Sequence, residues 1–468
     1  MIGAIVRKEI REMARDGRFR VAAATVLILL LAALAVGWRA ASSAQAERKA
    51  AADLTRSHWV NQPAKNPHSA AHYGVYAFKP KTPLAFVDDG IDPYAGVLAY
   101  LEAHIQNDFT HRPAADGTAL SRFGALTAAG VLQVLVPLLI VVLAAGTIAG
   151  EREQGTLRQL LSVGARSRDL AIGKMLGLGA ALMLLLVPAT LIGVAALLIG
   201  TDGAGSGTRF LLLAGVYLGY FVVWITLSFA VSAWAPTTRA ALITLLGLWM
   251  VNSLLAPRAA TDLVRRLHPT PTALEFQRRL AAEQRADSTG RTYAEYQEAY
   301  QREVLARYRV DSIADLPVNF AGMSLDASER WSDAVFDRNY GRLWATYTRQ
   351  DRARSTFGFA FPFVAVRALS QGFAGTDFYH HREFAAAAEQ YRRHLVRVMN
   401  EDLAEHGKAA GFQYTGDHAL WASVEPFDYQ TPQIGFVLAH HGRDLAALGG
   451  WLVFGIGLAL VGARRVRV

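Results

Sequence analysis

The chain has 468 residues, 52% of them hydrophobic, with no cysteine and a formal net charge of +9. Soluble proteins are usually about 45–50% apolar, so an excess this small means that membrane spans alternate with water-soluble parts. Lack of cysteine excludes disulfide staples, thiolate metal sites and cysteine nucleophiles. The basic balance suits nucleic acid or an anionic membrane face, and the positions of the charges decide for the membrane.

Residues 1–20 place Ile2, Ile5, Val6, Ile10 and Met13 at helical spacing among basic residues. This predicts an interfacial helix leading into a span, with its arginines reaching the headgroups. A bilayer core needs roughly 20 mostly apolar helical residues. Runs of this kind are predicted at 21–38, 123–149, 170–199, 210–234, 240–256 and 445–461. Arginine and lysine crowd into 1–20, 150–169 with Lys174, and the tail 462–468. Such segments stay cytoplasmic. Six spans then put both ends inside and leave 39–122, 200–209 and 257–444 outside.

The first outer segment is predicted to carry helices over Ser42–Val60 and near Ala95–Asp108, with an aromatic, proline-rich stretch between them. The second, 257–444, is domain-sized and mostly helical, with amphipathic stretches at Thr272–Arg285, Tyr293–Tyr308 and Arg382–His406. Phe357–Gly375 is nearly long enough to span. It is read as a helix on or dipping into the outer leaflet, or equally as a buried helix of the outer domain. The fold class is an all-α polytopic membrane protein: six transmembrane helices and a mostly helical periplasmic domain built from two loops.

The segment after the second predicted span reads Glu151-Arg152-Glu153-Gln154-Gly155-Thr156-Leu157-Arg158-Gln159-Leu160-Leu161, and Gly173-Lys174 opens the third. Gly155 permits a turn, Thr156 can cap the next helix, and Leu157, Leu160, Leu161 and Val163 give that helix an apolar face. A helix of about two turns is unstable alone, so it reads as a knob that docks on a partner.

At Glu151, Glu153, Gly155, Thr156, Leu157, Leu160, Leu161, Gly173 and Lys174 the sequence resembles the ABC-2-type exporter permeases. Further stretches, Asn66–Gly74, Pro83–Phe86, Gly375–Phe384 and Glu389–Arg392, resemble a bacterial subgroup with a large uncharacterised domain between the last two spans. The resemblance implies a bacterial inner-membrane permease whose loop 150–169 carries the ATPase-coupling helix. It also implies two copies of a cytoplasmic ATPase and a second permease, identical or related. ATP and magnesium would sit on the ATPase, with no cofactor in this chain.

No phosphate-cradling glycine loop is present, since Gly173-Lys174 leads into Met175 with no glycine five residues before. The chain is therefore expected to be no enzyme by itself. No hydrolase elbow is present either. His68 and His72 stand four apart, but Pro67 and Gly74 flank them and no zinc-protease glutamate follows. No metal site is assigned. Asp377, His380 and His381 form a candidate periplasmic functional cluster near the suspected interfacial helix, more suited to hydrogen bonding than to metal. Lys174 is the only charge within the predicted spans and is expected to snorkel. Few ionic groups in the spans favour an apolar or amphipathic substrate.

Two rivals are a mechanotransmitter, which moves outer domains without passing anything through, and an anchored periplasmic metal-handling or enzymatic module. A partner in the periplasm or outer membrane is a further expectation, and nucleic acid is not.

Overall fold

The computed structural model describes residues 1–116, 126–199, 205–408 and 410–466. The expected start of the second span at Phe123, part of the 200–209 turn, and Arg467 and Val468 lie outside the described residues. Among the described residues, six helices are long and apolar enough to cross a membrane: Phe19–Val60, Ala128–Glu153, Ser167–Ile199, Ser206–Trp234, Thr238–Leu267 and Ile434–Arg465. Strands among the described residues form one two-stranded sheet. The protein is a helical, multi-pass membrane protein.

Helix α1 (Ile2–Arg15) ends where Asp16 turns extended, and α2 (Gly17–Val60) follows. Its 44 residues make a rod of about 66 Å, roughly twice the hydrocarbon thickness. Its far half stands clear of the bundle and buries Trp59 against Trp421. Then come α3 (Pro67–Tyr73) and strands β1 (Val75–Phe78) and β2 (Leu98–Leu101), antiparallel with Val75 opposite Leu101. The helix expected near Ala95–Asp108 is therefore corrected. Its aromatic and branched residues pair with β1 across a ladder, a non-local partner that helical spacing cannot reveal.

A short helix α4 (Thr156–Ser162) precedes α5 (Ser167–Ile199), α6 (Ser206–Trp234) and α7 (Thr238–Met250). The bundle core gathers Leu30, Val136, Ile140, Leu182, Tyr220, Trp224 and Leu245. The second and fifth spans share a local design. Each contains a π turn, Val131–Leu135 and Val251–Leu255, followed by a proline, Pro137 and Pro257. The widened turn lets the helix run past a proline that cannot donate. The fifth span therefore continues to Leu267 rather than stopping at Ala256.

The π turns carry Gln133 and Asn252, which enter one buried polar chain. Asn252 Nδ2 donates to Tyr220 Oη at 3.2 Å, and Tyr220 donates to the Gln133 carbonyl at 3.3 Å. Gln133 Nε2 donates to Tyr217 Oη at 3.1 Å. Tyr217 meets Ser370 at 2.7 Å, and Ser370 donates to Asp88 at 2.5 Å. Burial, the dominant influence, pushes the Asp88 carboxyl above its usual range.

The remaining large helices are α8 (Phe320–Thr356), α9 (Pro362–Ala374), α10 (Phe378–His406) and α11 (Ile434–Arg465). Every residue of α9 except Arg367 is buried. Val366, Leu369 and Phe373 join the same core as Tyr217 and Tyr220. Of the two readings of Phe357–Gly375, the surface helix is thus corrected, and the buried helix proves to pack into the membrane bundle itself. Pro362 starts α9, and Gly375 ends it at φ 77°, where an added Cβ would stand 2.8 Å from Thr82 Cγ2. Arg209 donates to the carbonyls of Gly372 at 3.4 Å and Phe373 at 3.2 Å, closing the helix end that bears partial negative charge. A second core joins both loops: Trp59, Ala70, Ala71 and Ala99 from the first, Phe384, Leu395, Met399 and Trp421 from the second. The near end of the bundle holds α1, α4 and Arg465; the joint body of the two loops forms the far end.

Candidate functional site

The near-end site starts where the second spanning helix breaks, between Ala144 and Ala149. Ser232 accepts from the Ile148 and Ala149 amides at 3.0 and 3.1 Å and donates to the Ala145 carbonyl at 2.7 Å. One hydroxyl thus satisfies the backbone groups freed by the break. The next charged residues each take a different partner. Glu151 Oε1 pairs with Lys174 Nζ at 2.9 Å and Lys8 Nζ at 3.1 Å. Lys174 also holds Glu9 at 2.7 Å. Arg152 donates to the carbonyls of Ala235 at 2.7 Å and Ala233 at 2.9 Å, at the end of α6. Glu153 accepts from the Thr238 amide at 3.1 Å and hydroxyl at 2.5 Å, at the start of α7. Cation at a C-terminus and anion at an N-terminus is the arrangement that helix dipoles favour. Three successive side chains therefore tie this loop to α1, α5, α6 and α7.

Lys174 is 3% exposed and does not snorkel. It lies inward because two carboxylates compensate its desolvation. Gly173 and Gly177 make room for these partners on α1. An added Cβ at Gly173 would stand 2.7 Å from Ile5 Cβ, and one at Gly177 2.7 Å from Glu9 Cβ. Ile5 of the α1 stripe thus packs on the third span, while Ile2, Val6, Ile10 and Met13 stay half-buried. Gly173→Val should cost about 1–3 kcal/mol and loosen α1. Faster tryptic cleavage near Arg15, with the rest of the digest unchanged, is the expected readout.

Gly155 turns the chain at φ 75°, and α4 follows. Thr156 does not cap α4: Gly155 holds the cap position, and the Thr156 hydroxyl donates to the Glu151 carboxylate instead. The predicted apolar docking face also divides. Leu157 is buried among Ile5, Ile148, Leu170, Phe229 and Ala463, and Leu160 and Leu161 are half-buried against that cluster. Arg158, Gln159, Ser162 and Val163 face outward, Val163 being 76% exposed. The leucines anchor the helix, and a mixed polar surface with one apolar tip is left for a partner. A groove of about 820 Å³ beside it is lined by Glu12, Glu151, Gln159, Leu160 and Thr238.

The far-end cluster is rearranged. Asp377 caps α10, accepting from the His380 amide at 2.9 Å. Its Oδ1 meets His380 Nδ1 at 2.5 Å, and its Oδ2 meets His441 Nε2 at 2.6 Å. His441 also meets Asp444 at 3.1 Å, and Asp444 accepts from Ser355 at 2.8 Å. Burial pushes the Asp377 carboxyl up, but hydrogen bonds from His380 and His441 and their charges outweigh it and hold it well below the usual range. His381 does not join them. One residue along a helix is about 100° round, and it packs on Phe109 and Trp344, with burial lowering its imidazole to about 4. His441 is also the non-helical residue at which α11 kinks. The cluster therefore pins α8, α10 and α11 together at the point where the last span meets the far-end body.

The sequence of residues 3–461 matches the family model described as "ABC-2 family transporter protein". No curated protein matches the chain. A match over nearly the whole length, on six spanning helices joined by a clamped short helix, means that the chain belongs to the ABC-2 transporter family, as the membrane-spanning permease that works with an ABC ATPase subunit.

Proposed function

We propose that this permease exports an apolar or amphipathic molecule from or across a bacterial inner membrane, with both termini cytoplasmic and the far-end body periplasmic. Two permeases, identical or related, enclose the path. Two ATPase subunits carry ATP and magnesium, and this chain hydrolyses nothing. The observation that carries the reading is the clamp at Glu151, Arg152 and Glu153. A push on α4 reaches α1 and three spans through ion pairs and helix ends rather than through a flexible loop. An apolar cavity of about 440 Å³ between the first, third and fourth spans, lined by Leu34, Leu186, Ala214, Leu218 and Phe221, supports this substrate class. A cavity with few polar groups selects by shape and desolvation, not by charge.

Co-purification with the ATPase tests the docking surface. Arg158→Glu with Val163→Asp changes only exposed residues, so the permease should stay folded and lose the ATPase. Retention of the ATPase with unchanged stimulation would overturn the assignment of α4. Ala214→Trp should fill the cavity. Stimulation of ATP hydrolysis by amphipathic compounds is expected to vanish while basal hydrolysis remains; unchanged stimulation would remove the cavity from the path.

A second reading, transmission of force without transport, is favoured by α2. This unbroken rod runs from the near end through the bundle to Trp59, whose indole donates to the Trp421 carbonyl at 2.8 Å. Labels at both ends of α2 that move with the nucleotide state, in vesicles that pass no tested amphiphile, would select it over export.

A further inference from the structure

Three imidazoles outside both sites converge on the far-end body. His68 and His72 lie one turn apart on α3, and His104 follows β2. Pro67 opens α3, Asn66 caps it by accepting from the His68 and Ser69 amides, and Gly74 closes it. The proline and glycine thus bound the helix without interrupting it, and the two histidines share a face. The three ring centroids are 4.8, 4.9 and 5.0 Å apart, nearly an equilateral triangle. One nitrogen from each ring lies within 4.8 Å of the others.

The orientation of two rings is set from behind. His68 Nδ1 meets Asn400 Oδ1 at 2.8 Å, and His104 Nδ1 meets Glu329 Oε1 at 2.6 Å. Both partners are acceptors, so both Nδ1 atoms carry the proton and both Nε2 atoms offer lone pairs. Those two Nε2 atoms face each other at 3.0 Å. Neutral rings so placed repel unless a cation lies between them. A proton could serve two rings but has no use for a third, and His72 stands beside both, exposed to solvent. His104 is also held at φ 66°, a conformation that residues other than glycine rarely adopt. Glu329 fixes it twice, accepting from its backbone amide at 3.0 Å as well as from its ring. Strain that is over-determined by its surroundings marks functional positions.

We propose that His68, His72 and His104 bind a divalent first-row transition metal, zinc foremost, with Glu329 and Asn400 orienting the ligands. Two nitrogens each about 2.0 Å from a tetrahedral zinc lie roughly 3.3 Å apart, close to the gap between His68 and His104. His72, exposed, moves in to complete the set. Three imidazoles without thiolate or ligating carboxylate suit zinc, copper or nickel rather than calcium or magnesium. The fourth position opens to solvent beside His72, so the ion can exchange. The site spans both loops: ligands come from the first, Glu329 from α8 and Asn400 from α10. Occupancy therefore ties the two halves of the far-end body together.

The test is zinc titration of the full chain in detergent, stripped with chelator, in competition with a chromophoric zinc indicator. One zinc per chain with a Kd below about 1 µM is expected. His72→Ala alters an exposed residue, so apo thermal unfolding should be unchanged while affinity falls at least about 100-fold. Glu329→Gln should weaken binding roughly 10–100-fold, as loss of a group that orients a ligand does. Absence of a saturable site tighter than about 10 µM, or equal binding by wild type and His72→Ala, would overturn the proposal and leave a proton shared by His68 and His104.

Discussion

Lys174→Met is expected to lower stability by about 3–5 kcal/mol, the usual cost of removing one partner from a buried ion pair, and to abolish stimulation of the partner ATPase. Lys174 holds Glu9 at 2.7 Å and Glu151 at 2.9 Å. Without it two carboxylates face each other in a site where, among the described residues, Lys8, 39% exposed at its side chain, remains to neutralise them. Methionine keeps the length and apolar stem, so the loss is one of charge. Adding Glu9→Gln and Glu151→Gln removes the uncompensated charges and should recover most of the stability, since an ion pair replaced whole is often neutral. Stimulation should not recover, because α1 and α4 no longer share a charged link to α5. The readouts are thermal unfolding in detergent and ATP hydrolysis by the reconstituted complex. Full stimulation in the triple variant would show that the clamp is structural and that force travels elsewhere.

Asp377→Ala should cost a similar amount, about 3–5 kcal/mol, because one carboxylate serves two buried imidazoles and caps a helix. Asp377→Asn keeps the cap but loses the charge, and should fall between. The two variants separate the contributions. The pH dependence has a fixed sign. The folded carboxyl titrates well below the unfolded value of about 3.9. Its stabilisation is therefore complete above the unfolded value and is lost as pH falls through the folded one. Asp377→Asn should flatten the acid limb of the stability curve. An acid limb identical in both proteins would remove Asp377 from the account. Hydrogen exchange should rise first in the opening turns of α10 and around the kink at His441.

Much of the near-end site was legible because its signals are local. Gly155 at φ 75° and the run Thr156–Ser162 form a turn and a short helix from neighbours alone. The roles within it were less legible. Thr156 has the chemistry of a cap, yet Glu151, five residues back, takes its hydroxyl. Leu157 looked free to dock, but Ile5, Phe229 and Ala463 cover it. Gly173 reads as a span entrance, whereas the close approach of α1 is what requires both it and Gly177. At the far end, Asp377 and His380 are near neighbours in the chain and read as a cluster, while His441, 64 residues away, joins them only in the fold. His104 carried no signal at all, because a lone histidine after a strand acquires meaning only beside His68 and His72.

The sequence by itself determined the class and the count of spans. An apolar stretch long enough for a bilayer has no other stable use, and the residues that form it are contiguous. It also determined the family, through the run from Glu151 to Leu161. Only the tertiary structure decided which charges meet. Lys174 and Glu9 are 165 residues apart, and His104 and Glu329 are 225 apart. Pairing across such distances is set by helix packing and by the desolvation that makes an unpaired charge intolerable. Neither leaves a periodicity in the chain.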